Sequence, residues 1–306
     1  MLSPGKLKIL KVLKRNSQRF STTITPEPIK LAHAVYEQET VSDNQVNPFI
    51  IAHGLLGSKQ NWTSLCKAYT QKFNPPRKVI ALDLRNHGES THSDEHTYNH
   101  LVEDVKQFLI DNNISKAALM GHSMGGRCAM LFALKYPEFL EKLVVVDISP
   151  VNLSPNIHEM PIILDTMRRV QMPSNVPLSQ SRNIINEQLK KVITDKGIRA
   201  FILTNLTAVG DNKSYKWRVN IPTLLKQFKE IAKFDTVEGL QYKGETLFIG
   251  GAKSDYIPRS DFPKILQLFP NAELKYIEGA GHWVHAEKPS EFLKITMEFL
   301  NKTAEV

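Results

Sequence analysis

The chain has 306 residues, 42% of them hydrophobic, and a formal net charge of +8 at pH 7. This length can bury a full hydrophobic core, and it suits one large α/β domain with an insertion or two separate domains. No apolar run approaches the length of a transmembrane helix, so we expect a soluble protein. The two cysteines, Cys66 and Cys128, lack metal-ligand spacing and are too few for a disulfide framework, so we predict neither a metal site nor a cofactor.

Residues 1–25 are predicted to be a mitochondrial transit peptide. They contain six Lys or Arg residues and no Asp or Glu, with apolar residues between the basic ones and Ser and Thr after them. An amphipathic, basic, hydroxyl-rich segment without acidic residues is typical of such peptides, although a basic tail without a targeting role has a similar composition. The remaining chain has 33 basic side chains, six fewer than the whole, against 31 acidic ones, so its charge does not favour a nucleic-acid partner.

Short apolar runs alternate with helical patterns along most of the chain. Strands are predicted over 31–37, 49–52, 78–82, 117–120, 143–146, 246–250 and 273–277, and helices over 61–73, 98–109, 127–136, 258–268 and 289–300. This order predicts one α/β domain over 26–306 with a mostly parallel sheet covered by helices on both faces. Functional loops are then expected at the carboxyl ends of the strands.

The alternation stops between residues 151 and 234. This segment has helical patterns over 162–170, 179–193, 198–206 and 223–234 and no strand pattern. We predict a helical cap inserted between two strands of the sheet, which would shape a substrate pocket and exclude water. A helical extension without a role in the pocket is the alternative.

The apolar run at 117–120 leads into Gly121-His122-Ser123-Met124-Gly125, a Gly-x-Ser-x-Gly pattern followed by a predicted helix. A strand, a sharp turn and a helix around this pattern form a nucleophile elbow, with the Ser123 hydroxyl at a strained tip. Gly121 and Gly125 would then be needed because a Cβ atom would clash in so tight a turn. The pattern can also arise as an ordinary Gly/Ser turn.

A serine nucleophile needs a base and an acid that orients the base. His282 follows the last predicted strand in a glycine-rich loop and is the candidate base, whereas His285 is expected on the wrong face of that turn. Two acids follow strands, Asp147 after 143–146 and Asp255 after 246–250. Position alone slightly favours Asp255, and the residues themselves leave both open.

Two backbone amides are candidates for an oxyanion hole, which stabilises negative charge on a reacting carbonyl oxygen. They belong to Met124, directly after the nucleophile, and to Leu55, in the loop after an early strand. His53 and Gly54 are expected to shape that loop. Residues 85–90 are expected to support the site without contacting the substrate.

These motifs together resemble the α/β-hydrolase superfamily over the chain past the predicted transit peptide. The branch they resemble holds a bacterial short-chain acyl esterase, the mitochondrial abhydrolase-domain-11 proteins and the yeast ethanol acetyltransferases. In that branch an acid follows the strand after the elbow helix in an Asp-Ile-Ser/Ala-Pro setting, which Asp147 matches. The resemblance therefore implies Asp147, and not Asp255, as the partner of His282.

The resemblance also implies serine-dependent acyl transfer. The main prediction is an alcohol acetyltransferase, which makes an acetate ester such as ethyl acetate from acetyl-CoA and an alcohol, with esterase or thioesterase side activity. The alternative is a mitochondrial carboxylester or lipid hydrolase, in which water accepts the acyl group. A third possibility is a non-catalytic interaction protein on a hydrolase fold.

Overall fold

The computed structural model describes residues 26–38, 46–151, 155–210, 214–234 and 239–302. The predicted transit peptide, residues 1–25, lies outside the described residues. None of the helices formed by the described residues is both long enough and apolar enough to cross a membrane.

Nine strands and eleven α-helices are formed by the described residues. The strands are β1 (His33–Tyr36), β2 (Phe49–Ala52), β3 (Val79–Leu82), β4 (Ala117–His122), β5 (Leu140–Val146), β6 (Leu206–Val209), β7 (Ser214–Trp217), β8 (Thr246–Gly251) and β9 (Ala272–Ile277). The helices are α1 (Thr63–Lys72), α2 (Tyr98–Asp111), α3 (Met124–Lys135), α4 (Glu159–Arg169), α5 (Leu178–Lys190), α6 (Lys196–Leu203), α7 (Ile221–Lys226), α8 (Phe228–Ala232), α9 (Phe262–Leu268), α10 (Val284–Glu287) and α11 (Pro289–Leu300).

The main sheet has seven strands in the order β1-β3-β2-β4-β5-β8-β9. Only β1 is antiparallel to its neighbour, and the other pairs are parallel. The central strands are short runs of apolar residues because both of their faces are covered. The predicted α/β-hydrolase fold with a mostly parallel sheet is therefore confirmed.

Alternate residues of the central strands of the main sheet enter two separate cores. In β5, Leu143 and Val145 belong to the core that contains the apolar faces of α2 and α3. Val144 and Val146 belong to the opposite core, with residues of α1 and α11. This two-sided packing is the expected result of the period-two alternation of side chains in a strand. It leaves the carboxyl ends of β2, β4, β5 and β8 at one edge of the sheet.

The segment between β5 and β8 contains helices α4 to α8, and we call its described residues, 155–210 and 214–234, the cap. Unlike the sequence-based prediction, it also contains an antiparallel hairpin of β6 and β7, with Leu206 opposite Trp217. Each of these strands has only four residues, too short for alternation to stand out against the neighbouring helical patterns. The helix predicted over 223–234 is likewise two helices, since Gln227 leaves helical geometry at φ −96° and ψ 9°.

Candidate active site

Ser123 lies between β4 and α3 in a strained backbone conformation, with φ 53° and ψ −116°. The turn fits only because glycines flank it. A Cβ atom on Gly121 would lie 2.1 Å from the carbonyl oxygen of Gly125, and one on Gly125 would lie 2.5 Å from the carbonyl oxygens of Ala52 and His53. Glycine is therefore required at both positions, as the elbow prediction expects.

The structure brings His282 and Asp147 together at the carboxyl edge of the sheet. His282 Nδ1 lies 2.7 Å from Asp147 Oδ2. Asp147 directly follows β5, has φ 48° and is fully buried. Its carboxylate also accepts hydrogen bonds from the Gly251 amide, at 2.9 Å, and from the Ser254 hydroxyl. These donors compensate the buried charge and fix the carboxylate beside the imidazole.

Asp255, the other candidate acid, lies in the loop after β8, and its two neighbours contact the site. Ser254 donates to Asp147, and the ring of Tyr256 stacks on the His282 imidazole with 3.9 Å between ring centroids and 21° between ring planes. Sequence reasoning chose between the two aspartates and missed Ser254 and Tyr256. A polar Ser-Asp-Tyr run in the loop after a strand was the available signal.

The amides of Leu55 and Met124 are both available to a ligand. Met124 is the first residue of α3, so its N–H has no carbonyl of an earlier turn to bond. Leu55 lies in a tight turn closed by the Gly57 amide, which donates to the Gly54 carbonyl at 2.9 Å. Within the described part of the chain, neither amide donates to a protein acceptor. The positive end of α3 adds to the preference for negative charge at this point.

Two buried imidazoles support the turn that holds Leu55. His53 Nε2 accepts from the Leu84 amide at 3.0 Å, and His53 Nδ1 donates to the Gly54 carbonyl at 2.7 Å. His87 Nε2 accepts from the Leu56 amide at 3.1 Å, and its Nδ1 donates to the Arg85 carbonyl at 2.9 Å.

Each of these rings needs one protonated and one bare nitrogen. Burial lowers the pKa of His53 and, more strongly, that of His87, which keeps both rings neutral. His53 thus shapes the loop as predicted, and His87 is the residue of 85–90 that contacts it. Their positions depend on neutral imidazoles at ordinary pH.

His285 is buried and contacts the ring of His122 edge-on, with 4.7 Å between ring centroids. Its ring stacks on Trp62 at 4.1 Å between centroids, and burial lowers its pKa to about 3. Asp147 bonds to His282 and not to His285. His122, the residue before Ser123, donates from Nε2 to the His282 carbonyl at 2.9 Å, a contact that sequence reasoning missed.

One cavity of about 220 Å³ includes both Ser123 and His282. The cap supplies much of its apolar wall: Ile157, Met160, Ile163, Ile198, Phe201, Ile202 and Ile231. Leu55, Met124 and Tyr256 also line it.

Cys128 is fully buried behind the elbow, and burial raises the pKa of its thiol far above the physiological range, so it is a packing residue. Among the described residues, no three His, Cys, Asp or Glu side chains form a group that could hold a metal ion.

Comparison with known proteins places this arrangement in a family. A family model described as "alpha/beta hydrolase fold" matches residues 47–289. The chain is 39% identical over 281 residues to the sn-1-specific diacylglycerol lipase ABHD11 of Danio rerio, covering 90% of this chain and 84% of that protein. It is 32% identical over 294 residues to the "Probable alcohol acetyltransferase" of Saccharomyces cerevisiae, covering 90% of this chain and 84% of that protein.

A solved structure described as a marine microorganism esterase has a TM-score of 0.80 and 34% identity to this chain, covering 89% of this chain and 99% of that one. The relatives confirm the branch that the sequence motifs indicate. The family model matches most of the chain, and so does a relative with 39% identity. This protein therefore belongs to the α/β-hydrolase family.

Proposed function

We propose that this protein is a serine carboxylester hydrolase that acts on lipid esters. The observation that carries the proposal is the contact of the buried Asp147 with His282, which lines the same cavity as the strained Ser123. In this proposal Ser123 is the nucleophile, His282 the general base and Asp147 the acid that orients the imidazole. The amides of Leu55 and Met124 form the oxyanion hole.

The reaction has two acyl-transfer steps. Ser123 Oγ attacks the ester carbonyl carbon while His282 Nε2 takes the hydroxyl proton, and the carbonyl oxygen becomes an oxyanion bound by the two amides. Collapse of this intermediate breaks the ester bond, and His282 returns the proton to the leaving alcohol. Water then attacks the acyl-enzyme in the same way, and the products are a carboxylic acid and free Ser123.

The apolar side chains of the cap support a lipid substrate. Met160 and Ile163 of α4 and Phe201 and Ile202 of α6 line the cavity that contains Ser123. Removing an acyl chain from water against such a wall is favourable by about 0.8 kcal/mol per buried CH₂ group. The relative named as a diacylglycerol lipase supports the same substrate class.

Alcohol acetylation, the main prediction from the sequence, becomes the second candidate. The comparisons fit the predicted alternative, hydrolysis, at least as well, because the more similar relatives carry the lipase name. One relative supports acyl transfer to an alcohol as the second candidate. It is the yeast protein named as a probable alcohol acetyltransferase, which is 32% identical to this chain. Both reactions share the acyl-enzyme and differ only in the acceptor.

A mitochondrial location is also proposed, on the composition of residues 1–25. A fluorescent reporter that carries these residues should enter mitochondria, and a diffuse cytosolic signal would contradict the proposal.

The test compares the purified protein with its Ser123→Ala variant. Turnover of p-nitrophenyl acetate and of diacylglycerol should fall by about 10⁴-fold or more, because removal of a triad nucleophile leaves only binding and oxyanion contributions. Ser179→Ala, on an exposed part of the cap, is the matched control and should keep full activity. Unchanged turnover in Ser123→Ala, with contamination excluded, would overturn the serine mechanism.

A second experiment tests whether water or an alcohol accepts the acyl group. Acetyl-CoA is supplied with and without ethanol, and ethyl acetate is quantified against free acetate. Hydrolysis predicts acetate in both mixtures or no turnover of acetyl-CoA, whereas ethyl acetate as the main product would establish the transferase.

A further inference from the structure

The oxyanion turn, Gly54 to Gly57, is held at each of its peptide groups. The Gly54 carbonyl, which shares a peptide with the Leu55 amide, accepts from His53 Nδ1 and from the Gly57 amide. The Leu56 amide donates to His87 Nε2. A peptide group is planar, so fixing the Gly54 carbonyl also fixes the direction of the Leu55 N–H.

Leu56 is the strained residue of this turn. Its φ is 61°, in the left-handed region that residues with a Cβ atom rarely adopt. The side chain is buried, and the backbone is bonded on both sides: the amide to His87 and the carbonyl to Asn205 Nδ2 at 2.8 Å. A strained conformation of this kind persists only where its surroundings impose it.

Asn205 is the one of these partners that comes from the cap. It lies between α6 and β6 and is only 2% exposed. Its own backbone is fixed, since its amide donates to the Ile202 carbonyl at 3.0 Å and its carbonyl accepts from the Arg218 amide at 2.8 Å. Ile202 lines the active-site cavity, so Asn205 joins the cap wall to the oxyanion turn.

We propose that Asn205 is a positioning residue for the oxyanion hole. Through Asn205, the cap affects the rate of the reaction as well as the shape of the pocket. The inference deepens the proposed function and rests on it. Asn205 does not touch the substrate. It holds the Leu56 carbonyl, and thereby keeps the Leu55 amide aimed at the position where negative charge develops. Its contribution is therefore made in the transition state and not in substrate binding.

The experiment uses Asn205→Asp, which keeps the side-chain shape and removes the donor. The kcat for p-nitrophenyl acetate should fall by about tenfold, less than the roughly 100- to 1,000-fold cost of losing an oxyanion donor outright, while KM changes little. The affinity for a trifluoromethyl ketone should fall by a similar factor, because its adduct with Ser123 places an oxyanion in the same hole. Asn205→Ala tests the same point if the aspartate variant does not fold.

The matched control is Gln227→Ala. The Gln227 Nε2 donates to the Asp94 carbonyl at 3.4 Å, a solvent-exposed link from the cap that involves neither Asn205 nor the oxyanion turn. This variant should keep wild-type kcat and inhibitor affinity. Equal losses in the control, a loss confined to KM, or a lower kcat with unchanged inhibitor affinity would each overturn the proposal. The proposed serine mechanism fails separately, if Ser123→Ala retains turnover.

Discussion

Asp147 and His282 show how single side chains acquire a role from their surroundings. The imidazole is held on one edge by the Asp147 carboxylate, on one face by Tyr256, and through its backbone carbonyl by His122. A histidine so constrained presents Nδ1 to the acid and leaves Nε2 for a nucleophile. Asp147 in turn is bonded to Ser254, which makes the loop after β8 part of the same support.

Substitution of the two candidate acids tests this arrangement. Asp147→Asn should lower kcat for p-nitrophenyl acetate by about 10⁴-fold, because an amide at this position favours the wrong tautomer of the base. Asp255→Asn is the matched control and should stay close to wild type. Steady-state kinetics of both variants measure the difference. The reverse order of activities would assign the acid to Asp255.

At the scale of elements, the elbow depends on close contact between the start of α3 and the end of β2. The backbone of Gly125 lies directly against the carbonyl oxygens of Ala52 and His53. The end of β2 also leads into the oxyanion turn, so the elbow and the oxyanion turn depend on the same contact between β2 and Gly125. Sequence patterns predict this strand, turn and helix, because their signals are local glycines and apolar runs.

Gly125→Ala should therefore disturb both stability and catalysis. Its methyl group would lie 2.5 Å from two backbone oxygens, which cannot rotate away as a side chain could. We expect a loss of about 1–3 kcal/mol in the free energy of unfolding, measured by urea denaturation, together with a lower kcat. In the control, Gly197→Ala at the exposed start of α6, a Cβ atom would approach only the Asp195 side chain, at 3.1 Å, so stability should be unchanged or slightly higher. Equal stability of the two variants would contradict the packing argument.

The elements of the cap were predicted less well than those of the sheet. Four-residue strands such as β6 and β7 carry too little periodicity to be recognised beside helical patterns. In β7, Tyr215 and Trp217 alternate with exposed residues, which is a strand signal only once its partner is known. Pairing with another segment, and not local preference, decides such a strand.

At the scale of the whole molecule, five of the ten histidines are buried and have a lowered pKa. Burial is the main cause that lowers the pKa of each, and for His96 and His285 the value is about 3. The set comprises His53, His87, His96, His122 and His285. They surround the oxyanion turn, the elbow and the His282 loop, so their charge state concerns the fold and the site together.

These shifts predict that stability falls in mild acid. In the unfolded chain each histidine binds a proton below about pH 6.5, whereas the folded protein resists protonation until near pH 3 for His96 and His285. Stability is therefore complete above pH 6.5 and is lost as the pH falls, by up to about 1.4 kcal/mol per pH unit for each group. Urea midpoints between pH 7 and pH 5.5 measure this slope, and a flat profile would contradict it.

By itself, the sequence determined the features that depend on residues close together in the chain. Apolar runs such as 117–120 specify buried strands, and the glycines around Ser123 permit a turn that residues with a Cβ atom would block. The order of the candidate residues Ser123, Asp147 and His282 is also a property of the chain. These features sufficed to predict the fold and to propose Ser123 and His282 for the site.

Only the tertiary structure decided which distant groups meet. Asp147 and His282 are 135 positions apart, and Asn205 and Leu56 are 149 apart. Whether such pairs form depends on strand order and on the path of the cap, which no local pattern encodes. The residues by themselves left Asp147 and Asp255 open, and only the resemblance favoured Asp147. The contact of Asp147 with His282, the support from Ser254 and Tyr256, and the link from the cap to the oxyanion turn are seen in the folded chain.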